Sequence, residues 1–232
     1  VADRTMTWDG TGYGSHAETS IASPSTTWYL AEGATQGGFD LFYLVQNANA
    51  QDAHMHVKYL LPSGAPIEKD YVVTARSRFT IWVDADDPRL ANTDVSAVIT
   101  SDLPTIVERA MYLSTPGHTF SAGHESAGVT TPATEWFLAE GATGNFFDLF
   151  VLVANPSSTD AQVQATFLLP GGGSVVKHYT VTANSRFNIW VDTEDAALAD
   201  TAVSTVITST NGVPIIVERS MWWPGPTAAT WA

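Results

Sequence analysis

The stretch WYLAEGATQGGFDLFYLV, Trp28 to Val45, returns as WFLAEGATGNFFDLFVLV, Trp136 to Val153. The flanks repeat with it: Trp28–Ser101 aligns without a gap on Trp136–Ser209, with about 42 of 74 positions identical, and a two-residue insertion follows where SDLP becomes STNGVP. A period near 108 residues is too long for a solenoid unit and suits a domain that buries its own core. The chain therefore reads as two bodies of one design.

Three further copies of a shorter motif set the phase. DRTMTW at Asp3–Trp8 matches VERAMYL at Val107–Leu113 and VERSMWW at Val217–Trp223, and His16, Pro24 and Trp28 fall on His124, Pro132 and Trp136. The expected division is 1–27, the closing strand and linker of a preceding repeat, then 28–113 as repeat one, 114–135 as linker and 136–232 as repeat two. Pro226–Ala232, PTAATWA, reads as the linker beginning again, with Trp231 in the place of Trp28.

Within a body the apolar period is two, with β-branched and aromatic residues at alternate positions. This predicts strands at Trp28–Ala31, Asp40–Gln46, His54–Leu61, Ile67–Thr74, Arg78–Val83, Val95–Thr100 and Thr105–Met111. GATQGG, NANAQD, PSGAP and SDLP separate them as turns. Asp86–Thr93 alone can make a helical turn, capped by Asp86 or Asp87 with Pro88 near its first position. Seven short strands in about 100 residues predict an all-β chain of two tandem immunoglobulin-like sandwiches.

The motif order also resembles tandem repeats of secreted and cell-surface multidomain bacterial proteins, a family of unknown function. The residues concerned are VERAMYL, AGHES, PATEWFLAEGAT, FFDLFVLVANP and VTANSR. The resemblance implies an extracellular β-module appended to other domains, and it brings no chemistry with it.

Charge and composition narrow the partners. Ten Lys and Arg against 24 Asp and Glu give −14, which repels nucleic acid and anionic lipid. No apolar run spans a bilayer as a helix, so membrane insertion is not expected; no signal peptide is read either, so an exported protein would be a processed form. The absence of cysteine removes disulfides and thiolate chemistry.

Several constellations are candidates for chemistry. Glu32 and Asp40, with their copies Glu140 and Asp148, flank a Gly-rich turn; they fix it through backbone N–H groups or hold calcium or another divalent ion with His16 and His124. No cofactor is otherwise expected. His54 and His56 share a strand face but are Gln162 and Gln164 in the second body, so they read as a solvated face. The acidic runs at Asp84–Asp87 and Asp192–Asp195 read as caps. Arg78, Thr80 and Trp82, repeated as Arg186, Asn188 and Trp190, project from one strand face and form a candidate sugar platform. Glu108 and Arg109 point to opposite faces and need partners, for which Arg78 and Asp40 are candidates.

No nucleophile elbow, Walker loop, dinucleotide fingerprint or H-E-x-x-H occurs, so no enzyme is expected. The leading expectation is an extracellular structural or adhesive module that associates with itself or with neighbouring repeats. Asp3, Arg4, Met6 and Trp8 would form an assembly strand that completes another copy's sheet. The alternative is a tandem polysaccharide-binding module using Arg78, Trp82, Arg186, Asn188 and Trp190.

Overall fold

The computed structural model describes residues 2–8 and 14–223, so the restarted linker at Pro226–Ala232 lies outside the described residues. These residues fall into two compact units, one of residues up to Tyr59 with Ile67–Thr131, the other of Leu60–Pro66 with the residues from Pro132 on. Both are all-β and built from antiparallel strands. No helix among the described residues is long and apolar enough to cross a membrane.

A hairpin comes first: β1 (Asp3–Thr7) pairs with β2 (Ser15–Thr19), and among the described residues with no other strand, in a register that sets Met6 against His16 and Arg4 against Glu18. The body then follows as β3 (Ser25–Leu30), β4 (Phe39–Asn47), β5 (Ala53–Leu60), β6 (Ile67–Val73), β7 (Ser77–Trp82), β8 (Ser96–Thr115) and β9 (His118–Ala127). The predicted period holds. β5 alternates buried Ala53, Met55, Val57 and Tyr59 with more open positions, as a half-buried strand must.

Two expectations change here. Val95–Thr100 and Thr105–Met111 fall in one strand, because SDLP is taken up as a shift of register against β3 between Thr100 and Thr105. Its first half pairs with β3, and its second half, from Ile106, pairs with β4. The stretch 114–135, read as linker, contains β9, which pairs along β8 from Glu108 to Leu113. HTFSAGHESA has Ser, Ala, His and Gly in place of a run of β-branched residues, and its own propensity hides the strand.

The second unit repeats the body as β10 (Glu135–Leu138), β11 (Asp148–Asn155), β12 (Ala161–Leu168), β13 (Ser174–Val181), β14 (Ser185–Trp190), β15 (Ser204–Ser209) and β16 (Ile216–Trp222). Here the two-residue insertion does break the strand. Gly212 sits at φ +77, a left-handed conformation that suits glycine, and separates β15 from β16.

The sheets are β10-β15-β12-β13 and β14-β11-β16, and between them lies one core that includes Leu149, Val151, Val163, Phe167, Ile189, Ile207 and Val217. The class is the expected sandwich, but the pairing departs from the constant-type immunoglobulin order. The first strand joins the sixth, the fourth joins the third, and the last joins the second. Alternation fixes which residues face the core, not which sheet a strand joins.

The same side chains fasten each body. Trp28 Nε1 donates to Thr105 O at 3.0 Å and Trp136 Nε1 to Ile215 O at 3.0 Å, which pins the entry strand across the sheet. Asn47 Nδ2 donates to Val73 O at 2.8 Å, and Asn155 Nδ2 to Val181 O at 2.9 Å, at the end of the second strand.

Candidate functional site

The turn after Trp28 holds the most concentrated charge in the first unit. Arg109, on the inner face of β8, reaches the carboxylate of Glu32 with Nη2 at 2.7 Å and its carbonyl with Nη1 at 3.1 Å. His124 Nε2, from β9, lies 3.0 Å from the other carboxylate oxygen. The Arg109 and Glu32 side chains are 1% and 3% exposed. A buried ion pair is costly unless its remaining donors and acceptors are met, and the carbonyl and the imidazole meet two of them.

Glu32 is thus the partner of Arg109 in place of Asp40, and Glu108 meets Arg4 in place of Arg78. Glu32 and Asp40 do not tie the turn as a pair. Leu41 N donates to Asp84 at 2.9 Å and Thr93 N to Thr35 Oγ1 at 3.0 Å, so the bracing comes from Asp84 and Thr35. Asp84 recurs as Asp192, which accepts from Leu149 N at 2.9 Å and Gly144 N at 3.1 Å.

The candidate metal ligands separate. Glu32 and His124 belong to the Arg109 lock, His16 lies with Glu125, and Asp40 lies near Asp84 and the Trp82 indole. In the second unit Glu140 pairs with Arg219, whereas Asp148 lies near Asp192 and Trp190. Among the described residues no group of three or more His, Asp or Glu has a geometry for an ion. A resident arginine in the lock also opposes a cation there. The acidic runs bind strands and turns: Asp86 accepts from Tyr59 at 2.9 Å, Glu194 from Tyr179 at 2.6 Å, and Asp87 caps the turn Pro88–Leu90 through Arg89 N at 2.9 Å. His56 pairs with Asp70 at 2.7 Å on an open face.

The outer face of the same sheet carries a second cluster. The register places Trp82, Phe42, Ala110 and Glu125 in one row across β7, β4, β8 and β9. The β1–β2 hairpin is fixed to this face by side chains. Arg4 contacts Glu125, and its Nη2 lies 3.2 Å from Glu108 Oε2. His16 stands with Nε2 3.2 Å from Tyr112 Oη and Nδ1 3.1 Å from Glu125 Oε2, the latter outside hydrogen-bond alignment. Trp8 donates to Phe120 O at 2.6 Å and meets Tyr112 edge-on at 5.2 Å. Burial of His16, then Arg4 and His124, holds the imidazole below its usual range. Sequence reasoning missed Tyr112 here.

The candidate sugar platform is partly present. Trp82 and Trp190 are 50% and 44% exposed, each stacked on a phenylalanine, Phe42 at 6.1 Å and Phe150 at 5.6 Å. Arg78 is exposed and donates to Thr80 at 3.0 Å. Arg186 departs from the expectation: it is buried, and its guanidinium donates to Asn188 at 2.6 Å. Beside the rings, burial raises Asp40 and Asp148, and it pushes Asp84 up to about 6.

No family model matches the chain. No curated protein matches it either. Among solved structures it is similar to the crystal structure of Thermotoga maritima 1070, at 11% identity and a TM-score of 0.43, over 47% of this chain and 96% of that one. It is also similar to the Anabaena sensory rhodopsin transducer, at 26% identity and a TM-score of 0.35, over 40% of this chain and 91% of that one. Likenesses at this level say nothing about what the chain binds or does.

Proposed function

We propose that the chain is a non-catalytic structural repeat module of a bacterial surface protein or fibre, working outside the cell through contacts between repeats. The observation that carries this reading is the docked β1–β2 hairpin, a repeat-derived segment fixed to the outer face of the first body by Arg4, His16 and Trp8. The arrangement of the titratable side chains agrees with it. Glu32, Arg109, Glu125, Asp86 and Asp87 bind strands and turns to one another, and these carboxylates are engaged in structural pairs rather than set across a cleft. Composition agrees too, with no cysteine and a strongly acidic surface. The test is amide exchange on the full chain and on Arg4→Glu. Protection of Met6 and His16 amides that the substitution removes supports the reading; rapid exchange in the parent chain sinks it.

A second reading, polysaccharide binding, is favoured by Trp82 and Trp190, which present open ring faces at matching places in the two bodies. Two weak sites on one chain gain avidity on a polymer. Retention on insoluble polysaccharides that Trp82→Ala with Trp190→Ala abolishes would establish it; equal retention of both proteins would exclude it.

A further inference from the structure

Each open tryptophan stands beside two carboxylates. Leu41 N donates to Asp84, which sets that carboxyl against β4 next to Asp40. Trp82 precedes Asp84 by two residues and stacks on Phe42, two residues after Asp40. The second body repeats the arrangement, with Leu149 N on Asp192 beside Asp148, and Trp190 stacked on Phe150. In the same acidic runs Asp86 has Lys69, Asp87 has Arg89 and Asp195 has Lys177. All ten Lys and Arg lie among the described residues, and none forms an ion pair with Asp40, Asp84, Asp148 or Asp192. Arg78 shares the strand face of Trp82 but stands four residues away, about 13 Å at the rise of a strand, and donates to Thr80. Arg186 is buried and donates to Asn188. Beside Phe150 in the register, Ser220 adds a buried hydroxyl with no hydrogen-bond partner among the described residues.

A half-exposed ring face with unpaired carboxylates at its edge favours a ligand that brings an apolar face and a positive charge together. Burial raises Asp40 and Asp148, and the neighbouring carboxylate raises Asp84 and Asp148 further; a cation supplied from outside offsets both effects. The shape of the platform narrows the ligand. The Trp and Phe planes are only 20° and 26° apart in the two bodies, so they form a flat plate that suits the C–H face of a pyranose. A quaternary ammonium favours rings on several sides, and a lysine stem would leave most of the plate uncovered. We infer that each platform takes a pyranose carrying a protonated amino group, stacked on Trp82 or Trp190 with its ammonium on Asp40 and Asp84 or on Asp148 and Asp192. The polymer held by the two bodies is then an amino-sugar polysaccharide, and the net charge of −14 attracts it at longer range.

This inference rests on the polysaccharide reading above and commits it to one class of sugar. The test is calorimetric titration of the full chain with soluble tetramers of glucosamine, N-acetylglucosamine and glucose, and with tetralysine. Salt at about 0.15 M limits the reach of the chain's overall charge to about 8 Å. The Trp82 and Trp190 indole N–H signals, followed by NMR, report where the ligand sits. The expected result is that the glucosamine tetramer shifts both signals and binds about tenfold more tightly than the other two sugars, the difference between a charged and a neutral hydrogen-bonded contact. Asp40→Asn with Asp148→Asn should remove that tenfold preference, and Trp82→Ala with Trp190→Ala should abolish binding. Circular dichroism confirms that each variant is folded, and the comparison of ligands on the parent chain needs no variant. Equal affinity for the three sugars overturns the inference and leaves the polysaccharide reading standing. Tetralysine that binds as tightly as the glucosamine tetramer, or binding that survives loss of both tryptophans, overturns it as attraction to charge alone. If no sugar binds or shifts either indole, both fall.

Discussion

Glu32 and Glu140 occupy the same place in two copies of one motif, and substituting each by glutamine gives a controlled test of burial. Glu32→Gln keeps the side-chain shape and one acceptor for Arg109 but removes the charge, leaving a guanidinium 1% exposed without its counter-ion. Breaking a buried pair from one side costs about 3–5 kcal/mol, and the retained hydrogen bond places this case near the lower end, at about 3 kcal/mol. For a domain of about 100 residues that is a fall of roughly 12–24 °C in Tm. Glu140→Gln alters a pair whose carboxylate is 68% exposed and screened by water, which is worth about 0–1 kcal/mol. Differential scanning calorimetry, with hydrogen exchange to assign each transition to a unit, should show a large fall for the first substitution and almost none for the second. Equal shifts for the two proteins would refute the account of the lock.

Three other outcomes follow from the same contacts. His16 is held below its usual range when docked, so the released hairpin takes up the proton first. Docking is therefore complete above about pH 6.5 and weakens as pH falls below it. A pH titration of Trp8 fluorescence checks this, and it should lose its slope in His16→Gln. Asp84 is raised to about 6, so its folded-state contribution is fully present below the ordinary carboxylate range and is lost as pH rises through 6. Asp84→Asn should flatten urea-derived stability between pH 4 and 7, and an unchanged profile would contradict the assignment. Trp82→Ala removes a half-exposed ring whose neighbour Phe42 remains, and it should leave Tm within a few degrees.

Much of the fold was legible because alternation is a local property. β5 and β7, the cap at Asp87 with Pro88 behind it, and the entry tryptophans all stand within a residue or two of where spacing puts them. The unread features depend on tertiary context. β9 has the composition of a linker and becomes a strand because His124 and Ser126 face Met111 and Arg109 across β8. The union of two predicted strands into β8, and their separation into β15 and β16, turns on the backbone freedom of Gly212 in the inserted TNGV. The same distinction governs the site. The repeated glutamate, arginine and histidine were all visible, but Arg109 lies 77 positions after Glu32, and spacing along a chain cannot say which carboxylate an inward arginine will meet. For the same reason spacing joined Glu32 and Asp40 in one candidate set, whereas Glu32 meets Arg109 and Asp40 lies near Asp84.

The central claim is that a repeat-derived hairpin is fixed to the outer sheet face of a repeat body. A nuclear Overhauser measurement on the full chain tests it most directly. Cross-peaks from the Trp8 indole to Tyr112 and Gly123, and from the His16 ring to Tyr112, are the predicted result. A hairpin whose Trp8 and His16 show only local and solvent contacts, while β8 and β9 remain paired, would contradict it.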